Sequence, residues 1–86
     1  MQRRRSIPVG GVHIDMLRQE RRERVRTVLG AMKPRDAELL LLRSSGMSYR
    51  EVAQALGIQA GSVGTLLARA EREFERRYRA QYGDDL

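Results

Sequence analysis

The sequence predicts an all-α domain of four helices, and three observations carry that prediction. Apolar residues recur at three- and four-residue spacing, with no strand-like alternation and no internal repeat. Helix start and stop signals sit at the ends of those periodic segments. The chain of 86 residues is near the size at which a single core is barely sufficient, so packing between helices has to be efficient. Little room is left for an enclosed active site.

Taken in order, residues Met1 to Val12 hold Ser6, Pro8, Gly10 and Gly11 without a sustained period, and are expected to lack regular structure. Asp15 suits the cap of a first helix running from Met16 to about Met32. Its apolar stripe is Leu17, Val25, Val28, Leu29 and Met32, broken by Arg21 and Arg24. The half reading "RQERRER" is expected to be solvated and held by charge pairs. Pro34 then opens a second helix, Asp36 and Glu38 favour its positive end, and Gly46 suits a left-handed stop. That helix covers about Pro34 to Ser44, and the run Leu39 to Leu42 predicts packing on more than one side.

Ser48 followed by Glu51 is a capping box, in which each side chain satisfies the other residue's exposed backbone amide. Gly57 ends this third helix after about eight residues. A long last helix starts at Gln59 or Ala60 and runs to about Tyr82. Val63, Leu66, Leu67, Ala70, Phe74 and Tyr78 share one of its faces, while Glu73 with Arg77 and Glu75 with Arg79 are well-ordered i,i+4 pairs.

Composition excludes several functions. There is no Cys, so neither a disulfide framework nor a thiolate metal site is available, and the lone His13 beside Asp15 makes no metal site by itself. No Ser stands in a nucleophile context, and Lys33, the single lysine, has no phosphate loop around it. Met16, Met32 and Met47 read as gap-fillers. No catalytic residue, metal site or cofactor is expected, and the chain does not read as an enzyme. No apolar run has the length of a membrane span, and the basic start "MQRRRSIPVGG" lacks the hydrophobic stretch of a signal peptide. A soluble, cytoplasmic, nucleoid-associated protein is expected.

The formal net charge is +6, which favours a polyanionic partner. All but one of the basic residues are Arg, the side chain suited to phosphate and guanine forks. Met1 to Leu29 carries eight arginines against Asp15, Glu20 and Glu23, whereas Val63 to Leu86 balances five arginines against five acids. The excess therefore lies in the N-terminal segment, where Arg3 to Arg5 read either as a basic arm or as a solvated terminus.

The spacing within residues 49 to 68 carries the functional reading. Small Ala53 sits where two helices approach closely, Gly57 follows four residues later at the sharp turn, and Val63 lies six beyond. Val52, Leu56, Ile58 and Leu66 support them. This is the helix-turn-helix pattern, whose second helix is presented to the major groove of DNA. Two ordinary packed helices joined by a glycine turn would share part of it.

From about Arg24 to Tyr82 the chain resembles region 4 of bacterial sigma factors, particularly the extracytoplasmic-function group. The resemblance is carried by "AELLLLRSSGMSYREVAQALGIQAGSVGTLLARAEREFERRY", with its G-[LM]-S-Y-x-E-[VI]-A core and its later S-V-x-T-x-L-x-R-A run. It implies a four-helix domain that binds double-stranded DNA at the promoter minus-35 element through its last helix. Docking on the β flap of RNA polymerase core is also implied, with an anti-sigma protein as a further partner and a monomer in isolation. Residues 1–22 then correspond to a basic linker or N-terminal arm, partly helical, 23–82 to the region 4-like domain, and 83–86 to a tail. A complete sigma factor also has region 2, which these residues do not supply, so a fragment or a free-standing relative is expected. Many relatives carry Lys or Arg at the position of Gly64, and often Ser at that of Gln59.

The expected DNA-binding residues are Tyr49, Arg50, Gln59, Gly61, Ser62, Gly64, Thr65, Ala68, Arg69 and Arg72. Thr65 has a hydroxyl and a methyl for a base edge; Arg50 is placed on a phosphate, and Arg69 and Arg72 on phosphates or, if the helix lies flat, on a guanine. Gly61 and Gly64 either bare the helix amides to a phosphate, or clear a tight helix crossing or lie in a frayed first turn. Arg43 is a further candidate, unless it pairs with an acid of the same domain. Two other functions fit the pattern: a stand-alone helix-turn-helix regulator acting as a dimer on an inverted repeat, and a module that binds polymerase or anti-sigma protein without reading DNA.

Overall fold

The computed structural model describes residues 6–84, with side chains from residue 16. Helix α1 spans Ser6–Ala31, α2 Pro34–Ser44, α3 Tyr49–Leu56 and α4 Ala60–Tyr82, and no strand occurs among the described residues. The last three helices have the predicted bounds because each is punctuated locally. Pro34 opens α2, whose last carbonyls are taken by neighbouring amides and by Ser44 Oγ and Ser45 Oγ, which donate to Leu41 O at 2.9 Å and Leu42 O at 2.7 Å. Gly46 follows with φ of 97°, in the left-handed region that glycine enters at least cost. The capping box before α3 is complete: Ser48 N donates to Glu51 Oε1 at 2.8 Å, and Glu51 N to Ser48 Oγ at 3.1 Å.

Helix α1 corrects the expectation for the N-terminal segment. It begins at Ser6, ten residues before the predicted start, so Asp15 stands inside the helix and does not cap it. Pro8 lies in the first turn, where its missing amide would have no helical partner in any case. Gly10 and Gly11 lower helix propensity without forbidding helical backbone. The basic run Arg3 to Arg5, the His13 and Asp15 side chains and the end of the tail lie outside the described residues.

Two apolar clusters form the core. Leu39, Val52, Ala53, Val63 and Leu67 join α2, α3 and α4, with Met47, Leu56, Ile58 and Leu66 packed around them. Val28, Met32, Ala70 and Tyr78 join α1 to the second half of α4, flanked by Val25, Leu29, Phe74 and Tyr82. Leu40 packs against both, so α4 is the strut that the other helices share. Contacts of Met32 with the Ala70 end and of Arg24, whose guanidinium lies 5.0 Å from the Tyr82 ring centroid, with the other end make α1 antiparallel to α4.

Because α1 outruns α4 at that end, Met16 and Leu17 have no helix to cover them. Both are exposed, where the sequence pattern assigned Leu17 to the apolar stripe and Met16 to gap-filling. Of the run Leu39 to Leu42, Leu39 is fully buried and Leu40 and Leu42 half-buried, but Leu41 is exposed. The neighbouring helices α1, α3 and α4 leave one side of this turn uncovered, and Leu41 lies there, at the edge of an apolar groove.

Along the outer face of α4 the predicted pairs form. Glu73 accepts from Arg77 and also from Arg76, at 2.7 Å, and Arg79 lies 3.2 Å from Glu75. The hydrogen bonds from Arg76 and Arg77 hold the Glu73 carboxyl below its ordinary value. What this pair network contributes is present above the ordinary carboxylate range and fades as pH falls through the lowered value; at this exposure the contribution is small.

Tyr78 is fully buried, and its hydroxyl has no hydrogen-bond partner. Its ring, by contrast, is well used, stacked at 5.9 Å from Phe74 and 5.0 Å from Tyr82. An unpaired buried hydroxyl costs roughly 1–3 kcal/mol. Tyr78→Phe, which keeps the ring and removes that cost, is expected to raise the urea unfolding free energy by about 1 kcal/mol; a loss of stability would mean that the hydroxyl has a partner in solution.

Candidate nucleic-acid interface

The turn between α3 and α4 sets the orientation of everything that follows it. Gly57 takes φ 69° and ψ 34°, a left-handed cap, and Ile58 N donates back to Ala53 O at 3.0 Å. Ala53, buried, allows the close approach that the turn demands. Val63 is then driven between Leu39 and Val52, all three fully buried. With Val63, Leu67 and Ala70 facing inward, the opposite side of α4 is fixed outward.

At about 100° per residue, Gly61, Thr65, Arg69 and Arg72 fall in one outward sector about 80° wide, and all four are exposed. Thr65 and Arg72 lie about 10 Å apart along the helix axis, within the reach of one major groove about 12 Å wide. Ser62 borders the sector on one side and is exposed; Gly64 and Ala68 border it on the other and are half-buried. Gln59 precedes the first turn, exposed, and its side chain makes no cap hydrogen bond. The first turn of α4 therefore has no acidic residue and no side-chain cap, and its positive end is uncompensated.

Charge is distributed in the same sense. The ion pairs of α4 engage Arg76, Arg77 and Arg79, whereas no ion pair among the described residues engages Arg50, Arg69 or Arg72. Arg69 and Arg72 within the outward sector, and Arg50 near the start of α3, are exposed and remain free for an anion.

Two alternatives that the sequence leaves open are narrowed in this region. Neither glycine is imposed by a tight helix crossing: a Cβ on Gly61 meets open space, and one on Gly64 meets Tyr49 Cε2 at 3.5 Å, an ordinary contact. Arg43 does not pair with an acid. Its Nη1 donates to Met47 O at 2.8 Å, and its guanidinium lies 5.4 Å from the Tyr49 ring centroid. The turn between α2 and α3 brings these groups together, and no short-range sequence pattern announces them.

On the other side of α4, Leu67 and Phe74 meet Val25 and Leu29 of α1 and Leu40 and Leu41 of α2 around an open apolar groove of about 340 Å³, with Arg43, Ser44 and Glu71 at its rim. A second hollow of about 500 Å³ continues it past Val25, Leu29 and Leu41 toward Arg22, Arg26 and Ala37. Among the described residues, no cluster of His, Asp or Glu suits a metal ion, and no helix is long and apolar enough to cross a membrane.

A buried three-helix junction that aims one face of a long helix outward, with free arginines around it, defines a helix-turn-helix DNA-binding domain. The family model for sigma-70, region 4, matches residues 22–74. The chain belongs to that family, whose members are non-enzymatic transcription factor domains that act with DNA and RNA polymerase. No curated protein and no solved structure matches the chain.

Since the space beside Gly64 accommodates a methyl group, Gly64→Ala is expected to stabilise the domain by about 1 kcal/mol, the interior helix difference between the two residues. Thermal unfolding followed by circular dichroism measures it. A destabilised variant would show that the Tyr49 ring packs closer to the backbone than 3.5 Å contact allows.

Proposed function

We propose that this domain recognises the promoter minus-35 element in the major groove and docks on the β flap of RNA polymerase. The observation that carries the reading is the division of α4 between two opposite sides. Thr65 and Arg72 point away from the core, with Arg69 beside them; Leu67 and Phe74, roughly half a turn around the helix, line the apolar groove. Duplex DNA and a protein partner can therefore be held together without competing for the same surface. Family membership supports both partners, and an anti-sigma protein covering the groove fits the same division.

In this reading Arg50, Arg69 and Arg72 bind phosphates and Thr65 contacts a base edge. Tyr49, Gln59, Ser62 and Ala68 line the contact, and the bare first turn of α4 at Gly61 receives a phosphate on its amides. The N-terminal segment up to residue 22 acts as a basic arm outside the recognition unit. Gln59, Ser62 and Thr65 alone offer short polar groups near the start of α4, and no long reading side chain stands in its first turns, which favours a second possibility, docking without sequence recognition.

Both are tested by selection from a randomised duplex library at low salt, followed by binding across a salt series. The wild-type protein is expected to enrich a sequence. The double variant Arg50→Ala, Arg72→Ala should bind every duplex more weakly and lower the salt slope by about two, whereas Thr65→Ala should change preference among sequences. Gly64→Arg should strengthen binding, and Leu41→Glu, in the groove, should abolish polymerase binding while leaving DNA affinity intact. No enrichment at low salt would leave docking as the function.

A further inference from the structure

The outward sector of α4 lacks long side chains at the positions next to Gly64, and a ring from another helix lies there. Tyr49 is the first residue of α3; its ring edge sits where a Cβ of Gly64 would touch it at 3.5 Å. The Arg43 guanidinium, 5.4 Å from the ring centroid and tied to Met47 O at 2.8 Å, limits its movement on the α2 side. Three helices thus position one aromatic group, which is nevertheless 47% exposed. An exposed surface ring with no such seat would be free to rotate; this one is held by a cation and by a neighbouring backbone.

Geometry distinguishes this ring from the core aromatics. Tyr78 is buried, with the half-buried rings of Phe74 and Tyr82 tilted against it, whereas Tyr49 belongs to neither apolar cluster. The capping box uses Ser48 and Glu51 and does not involve its side chain. Folding has no evident need of an aromatic residue here, and the ring borders the outward sector that begins at Gly61 and Thr65.

We infer that Tyr49 is a specificity-determining residue, its ring taking the place of a reading side chain at Gly64 and packing on the C5-methyl of one thymine in the major groove. This rests on the DNA-reading proposal. Apolar contact is the way a protein detects that methyl, which marks thymine among the bases. Gly64 provides the seat for the ring, and Arg43 is a positioning residue that holds it without itself touching the base.

The test uses the whole chain and the duplex enriched from the randomised library, in which each thymine is replaced in turn by deoxyuridine. Removing the methyl that meets the ring should weaken wild-type binding about fourfold, the value of one buried methyl-sized group. Tyr49→Ala should bind the thymine and deoxyuridine duplexes equally, and Tyr49→Phe should behave as wild type. Arg43→Met should reduce the sensitivity to that same methyl. Gly64→Arg should lose it although its general affinity rises. Circular dichroism confirms that each variant is folded, and the exposed position of Tyr49 makes Tyr49→Ala a mild change.

If a sequence is enriched and no deoxyuridine replacement matters, or Tyr49→Ala keeps the wild-type response, the assignment of Tyr49 is overturned and DNA reading by α4 stands. Loss of the response in Tyr49→Phe would move the contact from ring to hydroxyl and likewise contradict it. If the library enriches nothing, DNA reading falls and the role of Tyr49 with it.

Discussion

The seating of Val63 against Leu39 and Val52 is the contact on which the rest depends. All three side chains are fully buried, and they come from α4, α2 and α3. Val63 lies in the first turns of α4, so the contact fixes the helix's direction and its rotation about its own axis. A rotation of one residue position, about 100°, would bury Ser62 or Gly64 and turn Val63 to solvent. Burying each such side chain is worth roughly 1.5–3 kcal/mol, enough to hold one orientation in a domain of this size. The left-handed Gly57 and small Ala53 make the contact possible, since they let α3 and α4 meet across so short a connection.

From that anchor α4 continues as a strut through a second cluster, with Ala70 and Tyr78 against Val28 and Met32. The helix therefore has a duty on each side. Inward and laterally it builds the core and half of the apolar groove; outward it presents small residues first and arginines after them. The acids Glu73 and Glu75 engage Arg76, Arg77 and Arg79, whereas Arg69 and Arg72, nearer the start of the helix, make no ion pair among the described residues. Rigidity and charge are thus arranged along one helix without either interfering with the other.

Much of this was legible in the sequence because the signals were local. Pro34, Gly46, the Ser48 and Glu51 box and Gly57 each act within a few residues, and they placed α2, α3 and α4 where the structure has them. The start of α1 was not legible: Pro8, Gly10 and Gly11 read as breakers, yet proline is harmless in a first turn and two glycines merely lower propensity. Exposure of Leu17 and Leu41 was hidden for another reason, since periodicity shows which residues share a face and not whether a neighbour reaches far enough to cover it. The contacts of Arg43 with Met47 O and the Tyr49 ring, and of that ring with Gly64, lay beyond the sequence pattern because they join α2, α3 and α4 across two turns.

The proposed function requires α4 to have a DNA side and a protein side. Its most direct test is a nuclear magnetic resonance titration of the isotope-labelled chain with a duplex. Shifts are expected at the amides of Ser48 to Glu51 and of Gln59 to Arg72 that border the outward sector, while Val25, Leu29 and Leu41 stay unmoved. Shifts centred on the groove residues, with the first turns of α4 silent, would contradict it.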